Sequence, residues 1–402
     1  MESCGIILRD SFLSKRKSLT MQEIHGTSRL FFIVLLSLLL FVQSCQKRSS
    51  SSKPVKFTGD HKVVKIDSAD LVLDAGVVKS AKVIASFAGD RDKILYLHRD
   101  INKASIFDLE EQQLIKIVNF KMDGSYSMKG DIYSVFPVTM DSIFVFQGLT
   151  SMLAVSDTSG RIEVVDTINY PVVNRPKGFY VNITNYRKIQ GFDKKLYFPT
   201  IHTFWDDFGE TNAVIELDLE TREQQKIISF PESYRNGWWE SYHNVASTAT
   251  RGDTIIASFG ASPTISVFCK DSLLQEFDAS SRHVNREPDY SSRPSSFSIG
   301  IFEKYWETIF NKGFYDGIEY DAYRKLYYRF AFGGSNDSFV SPTQIYRNAS
   351  IVVLDSAFGK ITEFEVDTDV YDLHNHFIGP KGLYIFNDQR YGLDEDFLTY
   401  DI

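Results

Sequence analysis

One unit recurs along this chain and constrains its fold more than any other feature. It is a charged turn, a short aliphatic-aromatic strand, a second strand, a polar turn and a third strand. The first copy runs Asp92-Lys-Ile-Leu-Tyr-Leu-His98, Ala104–Leu109 and Gln113–Phe120. Further copies are Asp141–Phe146, Met152–Ser156 and Arg161–Ile168; Asp193–Phe198, Ala213–Leu217 and Gln225–Phe230; Asp253–Ser258, Thr264–Phe268 and Leu273–Phe277; and Arg324–Arg329, Ser350–Leu354 and Lys360–Val366. Period-2 alternation, β-branched and aromatic enrichment, and Asp/Gly/Ser turns mark these as strands. A further strand, such as Ile132–Val138, precedes most copies and makes four per unit. The turn residues Asp92, Asp141, Asp193 and Asp253 stand 49, 52 and 60 residues apart. Four-stranded units at about 40–50 residues per repeat predict a β-propeller.

The last copy, Phe377-Ile378, Gly382–Phe386 and Phe397–Ile402, lacks its outer strand, while Lys62–Asp67 is surplus near the other terminus. Supplying that strand from the N-terminus closes a ring and removes open edges. The expectation is an all-β, six-bladed propeller of four-stranded antiparallel blades closed by the N-terminal strand, with seven blades if one divergent copy is missed. Residues 279–312 interrupt the repeat. Within them Phe302, Tyr305, Trp306, Ile309 and Phe310 fall at helical spacing, a face expected on the propeller rim or, as the alternative, against a partner.

Composition agrees with this reading. Aromatics reach 14%, with 32 Phe and 21 Tyr against 11 Pro, as suits pleated surfaces. Apolar residues at 43% and charged residues at 24% exclude a mostly disordered chain. A net charge of −8 gives no electrostatic reason for a nucleic-acid partner.

Ahead of the repeats, Leu30–Val42 is a 13-residue apolar stretch broken only by Ser37. It is short of the roughly 20 residues of a spanning helix and within the about 7–15 of a signal-peptide core. The segment ends in Val42-Gln-Ser-Cys45, which resembles the lipobox of bacterial lipoproteins, with Gln43 departing from the usual small or aliphatic residue. The resemblance implies diacylglycerol on the Cys45 thiol and an acylated amine, a stable anchor. Residues 1–44 are then the leader (Met21 is a candidate start), 45–58 the lipidated cysteine and polar tether, and 59–402 a single propeller domain. Of Cys4, Cys45 and Cys269 only Cys269 stays a free thiol, which excludes an intramolecular disulfide and a Cys-based zinc site in the processed chain.

The leader, the repeats and the run Gly124-Ser-Tyr-Ser-Met-Lys-Gly-Asp-Ile-Tyr-Ser134 are similar to the Bacteroidota lipoproteins grouped as domain of unknown function 4221. The similarity implies an outer-membrane lipoprotein and supplies no residue roles. Gln46-Lys-Arg-Ser49 carries none of the acidic residues associated with surface display in that phylum, which favours the periplasmic face.

Chemistry is sparse. No Gly-x-Ser-x-Gly elbow, His-Glu-x-x-His helix or phosphate loop occurs, and no cofactor or metal is expected. Cys269 ends a strand and reads as a small core residue. His374-Asn-His376 places two rings on one strand face, and His243 holds a comparable position two copies earlier. They are expected to hydrogen-bond in an axial channel, with holding a metal or polarising a bound carbonyl as the sharper alternative. Gly178-Phe179-Tyr180, Gly237-Trp238-Trp239 and Gly313-Phe314-Tyr315 each precede an innermost strand and so share one face of the disc. Beside them stand Asn182, Glu240, Tyr242, Asp316 and Glu319, so the rim is a candidate surface for a glycan, a peptide or a partner protein. The competing expectation is that the rings wedge between blades. The leading function is a membrane-tethered binding module. The alternatives are a channel-site hydrolase or lyase, and a structural subunit of an envelope complex.

Overall fold

The computed structural model describes residues 57–58, 64–72, 82–121, 132–147, 152–168, 179–181, 187–202, 212–235, 239, 243–269, 271–284, 312–333, 348–391 and 397–402. All lie in one compact unit, Pro54–Ile402. The leader, Cys45, the tether, Trp238, Glu240, Tyr242 and the apolar helical pattern at 302–310 fall outside the described residues.

The chain folds as a six-bladed β-propeller, and each repeat is one antiparallel blade. Blade 1 runs Lys82–Ser86, Lys93–His98, Lys103–Asp108 and Gln113–Asn119 from inside to outside. Blade 2 is Ser134–Thr139, Ser142–Gln147, Met152–Ser156 and Ile162–Thr167. In blade 3 two pieces, Phe179–Val181 and Gln190–Phe192, form the inner position beside Lys195–His202, followed by Asn212–Asp218 and Gln224–Ser229. Blade 4 is Ala246–Arg251, Thr254–Phe259, Thr264–Cys269 and Ser272–Asp278. Blade 5 is Phe314–Asp321, Leu326–Gly333, Asn348–Leu354 and Lys360–Val366. Blade 6 is Tyr371–Gly379, Gly382–Asn387, Phe397–Asp401 and, outermost, Ser68–Val72. Inner strands of blades 6 and 1, 1 and 2, 4 and 5, and 5 and 6 lie against each other around the axis.

Successive residues of a strand point to opposite faces, and in this ring both faces of a blade meet a neighbour. Ile94 and Tyr96 pack toward blade 6, whereas Leu95 and Leu97 pack toward blade 2. Leu196 and Phe198 face blade 2 while Tyr197 faces blade 4. Burial on both sides explains why second strands such as Lys93–His98 read as near-continuous apolar runs. The clusters of buried side chains follow the interfaces around the whole ring, blade 6 to blade 1 included.

Closure comes from the N-terminus, but Ser68–Val72 rather than Lys62–Asp67 is the closing strand. It pairs in register with Phe397–Asp401 and buries Ala69 and Leu71 in the blade 6/blade 1 interface. The chain joins this edge at Ile66, whose amide donates to Ile402 O at 2.8 Å, while the Val64 and Ile66 side chains stay exposed. Phe57–Thr58 adds a short strand to the outer edge of blade 5, a pairing the repeat does not signal. In blade 5 the second strand runs Leu326–Gly333, beyond the expected end at Arg329.

Arg329 is fully buried on the face toward blade 4. Its guanidinium donates to Ser258 Oγ at 2.9 Å and to the carbonyls of Pro263, Ala279, Phe259 and Ser262 at 2.6–3.3 Å. The Tyr315 ring covers it at 3.6 Å. Burial lowers its pKa to about 10, so the group stays charged at neutral pH.

Antiparallel order sends the inner-to-second and third-to-outer turns to one end of every blade and the other connections to the opposite end. At the first end the turns within the blades are short, such as 140–141, 193–194, 252–253 and 380–381, none longer than 87–92, and the N-terminal connection 59–67 joins them there. The opposite end receives 120–133, 203–211, 230–245, 279–313, 334–347 and 388–396.

Candidate functional site

The inner position of blade 3 is broken between Val181 and Gln190, although both pieces pair with the same strand, Lys195–His202. At the end of this break Ile189 is buried against blades 2 and 3, the preceding Arg187 and Lys188 reach carboxylates of blade 5, and Lys188 Nζ also reaches His376 O of blade 6 at 3.5 Å. Residues 187–189 thus form a strap from blade 3 to the far side of the ring. Arg187 Nε and Nη2 donate to Asp316 Oδ1 and Oδ2, each at 2.7 Å, with the two side chains only 4% and 1% exposed. This is a bidentate pair of the strong kind. Asp316 is aimed inward by a bulge between Tyr315 and Ile318, at which Gly317 takes φ 91°, a conformation suited to glycine.

Lys188 Nζ lies 2.6 Å from Glu319 Oε1, each side chain being 13% exposed. Burial would raise the Glu319 carboxyl, but the adjacent Lys188 ammonium outweighs it and holds the group below the ordinary carboxylate range. His376 Nε2 stands 3.3 Å from the same oxygen, and its Nδ1 donates to Leu373 O at 2.6 Å. Burial pushes the imidazole below its ordinary range.

His374 and His376 do share one strand face. Their rings stack on Phe332 and Phe330 of blade 5, with centroids 4.8 and 4.1 Å apart. His243 is on another interface: Nε2 donates to Gly313 O at 2.7 Å, and the ring meets Trp239 and Phe314 edge-on. The three imidazoles therefore do not converge. Among the described residues no group of three or more His, Cys, Asp or Glu is placed to hold a metal ion.

The paired rings at 314–315 correct the expected rim. Phe314 and Tyr315 point to opposite sides of their strand, yet they are 2% and 1% exposed. Phe314 lies in the interface with blade 6; Tyr315 packs on Val284 and Ala331 and accepts the Ser281 amide at 2.8 Å. Both sides of an inner strand face a blade, so neither ring is left for ligand. Trp239 is also buried, against Tyr234 at 5.2 Å. Trp239→Ala should lower unfolding stability by about 3–5 kcal/mol in urea titration, as for a core aromatic. Phe179 and Tyr180 form part of the inner position of blade 3.

A cleft of about 190 Å³ lies between blades 5 and 6 at the end with long connections. Phe332, Leu373 and Tyr371 form apolar walls; Thr368, Asp372, His374 and Asp388 supply polar groups. Of the candidates named from sequence, only His374 lines it. Asp372 Oδ1 accepts the His374 amide at 3.0 Å and fixes this corner.

The family model described as "Domain of unknown function (DUF4221)" matches residues 54–365, most of the propeller. The chain belongs to the DUF4221 family. A solved DUF4221 member from Bacteroides vulgatus is 19% identical, with 86% of this chain and 97% of that chain covered at a TM-score of 0.67, a likeness of fold. The calcium-binding protein regucalcin from Agrobacterium tumefaciens matches at 12% identity over 83% of this chain and 93% of its own, with a TM-score of 0.43. The periplasmic gluconolactonase of Pseudomonas aeruginosa matches at 11%, 77%, 78% and 0.40 in the same order. Comparison with curated proteins found no match.

Arg187, Lys188 and Arg329 were not singled out by sequence. The signal was a charge inside an apolar strand context: Arg329 sits in Leu326-Tyr-Tyr-Arg-Phe-Ala-Phe332. In a strand buried on both faces such a charge requires buried partners.

Proposed function

We propose that this DUF4221 protein is a binding propeller, tethered by lipidated Cys45 to the periplasmic side of the outer membrane, that takes a glycan, peptide or partner protein on one face of its disc. The asymmetry of the connections carries this reading. The turns within the blades at one face are all short, whereas the other face receives the longest connections and the blade 5/blade 6 cleft. Binding residues concentrate on loops held by a rigid scaffold, and a concave site with a few polar groups is the usual form of a ligand pocket. The hydrolase or lyase alternative has less support, because His243 and His376 commit ring nitrogens to hydrogen bonds with main-chain carbonyls.

The test is a glycan and peptide array probed with the soluble fragment 54–402. Ligands found there should lose at least about tenfold in affinity to a variant carrying Asp372→Asn and Asp388→Asn, about 1.4 kcal/mol. Changes at the opposite end, such as Lys325→Glu, should leave them unaffected. Equal loss from both faces would remove the assignment. Anchoring is tested separately: Cys45→Ala should abolish labelled-palmitate incorporation and release the protein from the membrane fraction. Unchanged labelling would end the lipoprotein reading.

A further inference from the structure

Among the four charged side chains that the strap pairs at the axis, the charges balance while His376 is neutral. Arg187 and Lys188 contribute two cations, Asp316 and Glu319 two carboxylates. With its hydrogen given from Nδ1 to Leu373 O at 2.6 Å, a neutral His376 presents Nε2 as an acceptor to Glu319 Oε1, another acceptor, at 3.3 Å. A proton on Nε2 would join these atoms. It would also place a third cation beside an oxygen that Lys188 Nζ already holds at 2.6 Å. Among the described residues, the charged groups facing the imidazole are Glu319, from the inner strand of blade 5, and Lys188, from the strap. Phe330 of blade 5 covers one ring face at 4.1 Å, and Leu373 O belongs to the histidine's own strand.

We propose that His376 is a proton-operated catch on the strap: its protonation draws Glu319 away from Lys188 and lets residues 188–189 leave the axis. Lys188 is the member able to go. It is partly exposed and holds one carboxylate oxygen and, at 3.5 Å, the His376 carbonyl, whereas Arg187 is enclosed and bidentate. Burial lowers the affinity of folded His376 for a proton, so the closed strap loses stability as pH falls below the ordinary imidazole value of about 6.5. The device goes beyond the binding reading and does not depend on which ligand the face takes.

Hydrogen exchange of the amides of Ile189 to Phe192, corrected for intrinsic rates, tests this between pH 7.5 and 5 on the intact propeller. The opening constant should rise by up to about tenfold per pH unit below about 6.5. The amides of Ser142–Gln147 should not follow, and His376→Gln should flatten the response. Equal slopes in His376→Gln, or parallel opening of Ser142–Gln147, would overturn the proposal. If His376→Gln does not fold, imidazole titration by NMR in the unmodified protein decides. Its midpoint must coincide with strap opening; a ring that titrates without opening the strap refutes the catch.

Discussion

Removal of residues 46–72 should cost the propeller most of its stability, whereas removal of 46–63 should leave the melting temperature close to that of the longer chain. The longer deletion takes away Ser68–Val72, its pairing with Phe397–Asp401, and the Ala69 and Leu71 side chains buried against blade 1. It also removes the Lys65–Asp401 ion pair and the Ile66 amide bond to Ile402 O. A buried leucine contributes about 2–5 kcal/mol, and each of several backbone hydrogen bonds about 1 kcal/mol net. The sum exceeds roughly 5 kcal/mol, against a typical total of about 5–15 kcal/mol. The third strand of blade 6 would be left as an open edge, so self-association should accompany the loss. Thermal unfolding and sedimentation of the two truncations provide the comparison. Equal midpoints would mean that the ring closes without this strand.

Asp316→Ala should be nearly as damaging. It leaves the Arg187 guanidinium inside the ring without the carboxylate that now meets it at two points. Breaking a buried pair from one side costs about 3–5 kcal/mol, while replacing both partners with apolar groups of similar volume is often close to neutral. The double change Arg187→Met with Asp316→Leu should therefore recover much of the single-variant loss in a urea-unfolding cycle. Additive losses would show that the pair does not act as a unit. A deficit in the single variant that the double change repairs would locate the cost in the stranded charge.

The blades were legible because their second and third strands carry a local signal. Lys93–His98 and Lys103–Asp108, for example, lie between polar turns, and their apolar runs follow from burial on both faces. The closing strand was misplaced for a physical reason. Val63, Val64 and Ile66 look like a strand, but the interface uses Ala69 and Leu71, whose neighbours Ser68 and Asp70 resemble a turn. The strap's partners Asp316, Glu319 and His376 were among the candidates, but Arg187, Lys188 and the pairing itself were not legible. Arg187 and Asp316 are 129 residues apart, and no spacing rule links a break in one blade to a bulge in another. The aromatic rim failed at Phe314 and Tyr315 because strand alternation separates exposed from buried side chains only when one sheet face meets water. In a propeller the two sides of an inner strand are both interior.

Binding without turnover is the central claim, and mass spectrometry of an array-selected ligand tests it most directly. The ligand is incubated for a prolonged period with an equal amount of the 54–402 fragment and then recovered. The account predicts intact ligand, with the captured fraction lost in the Asp372→Asn, Asp388→Asn variant. A product that accumulates with time, and whose formation stops in His374→Ala or His376→Gln while the protein stays folded, would contradict it and make the propeller an enzyme.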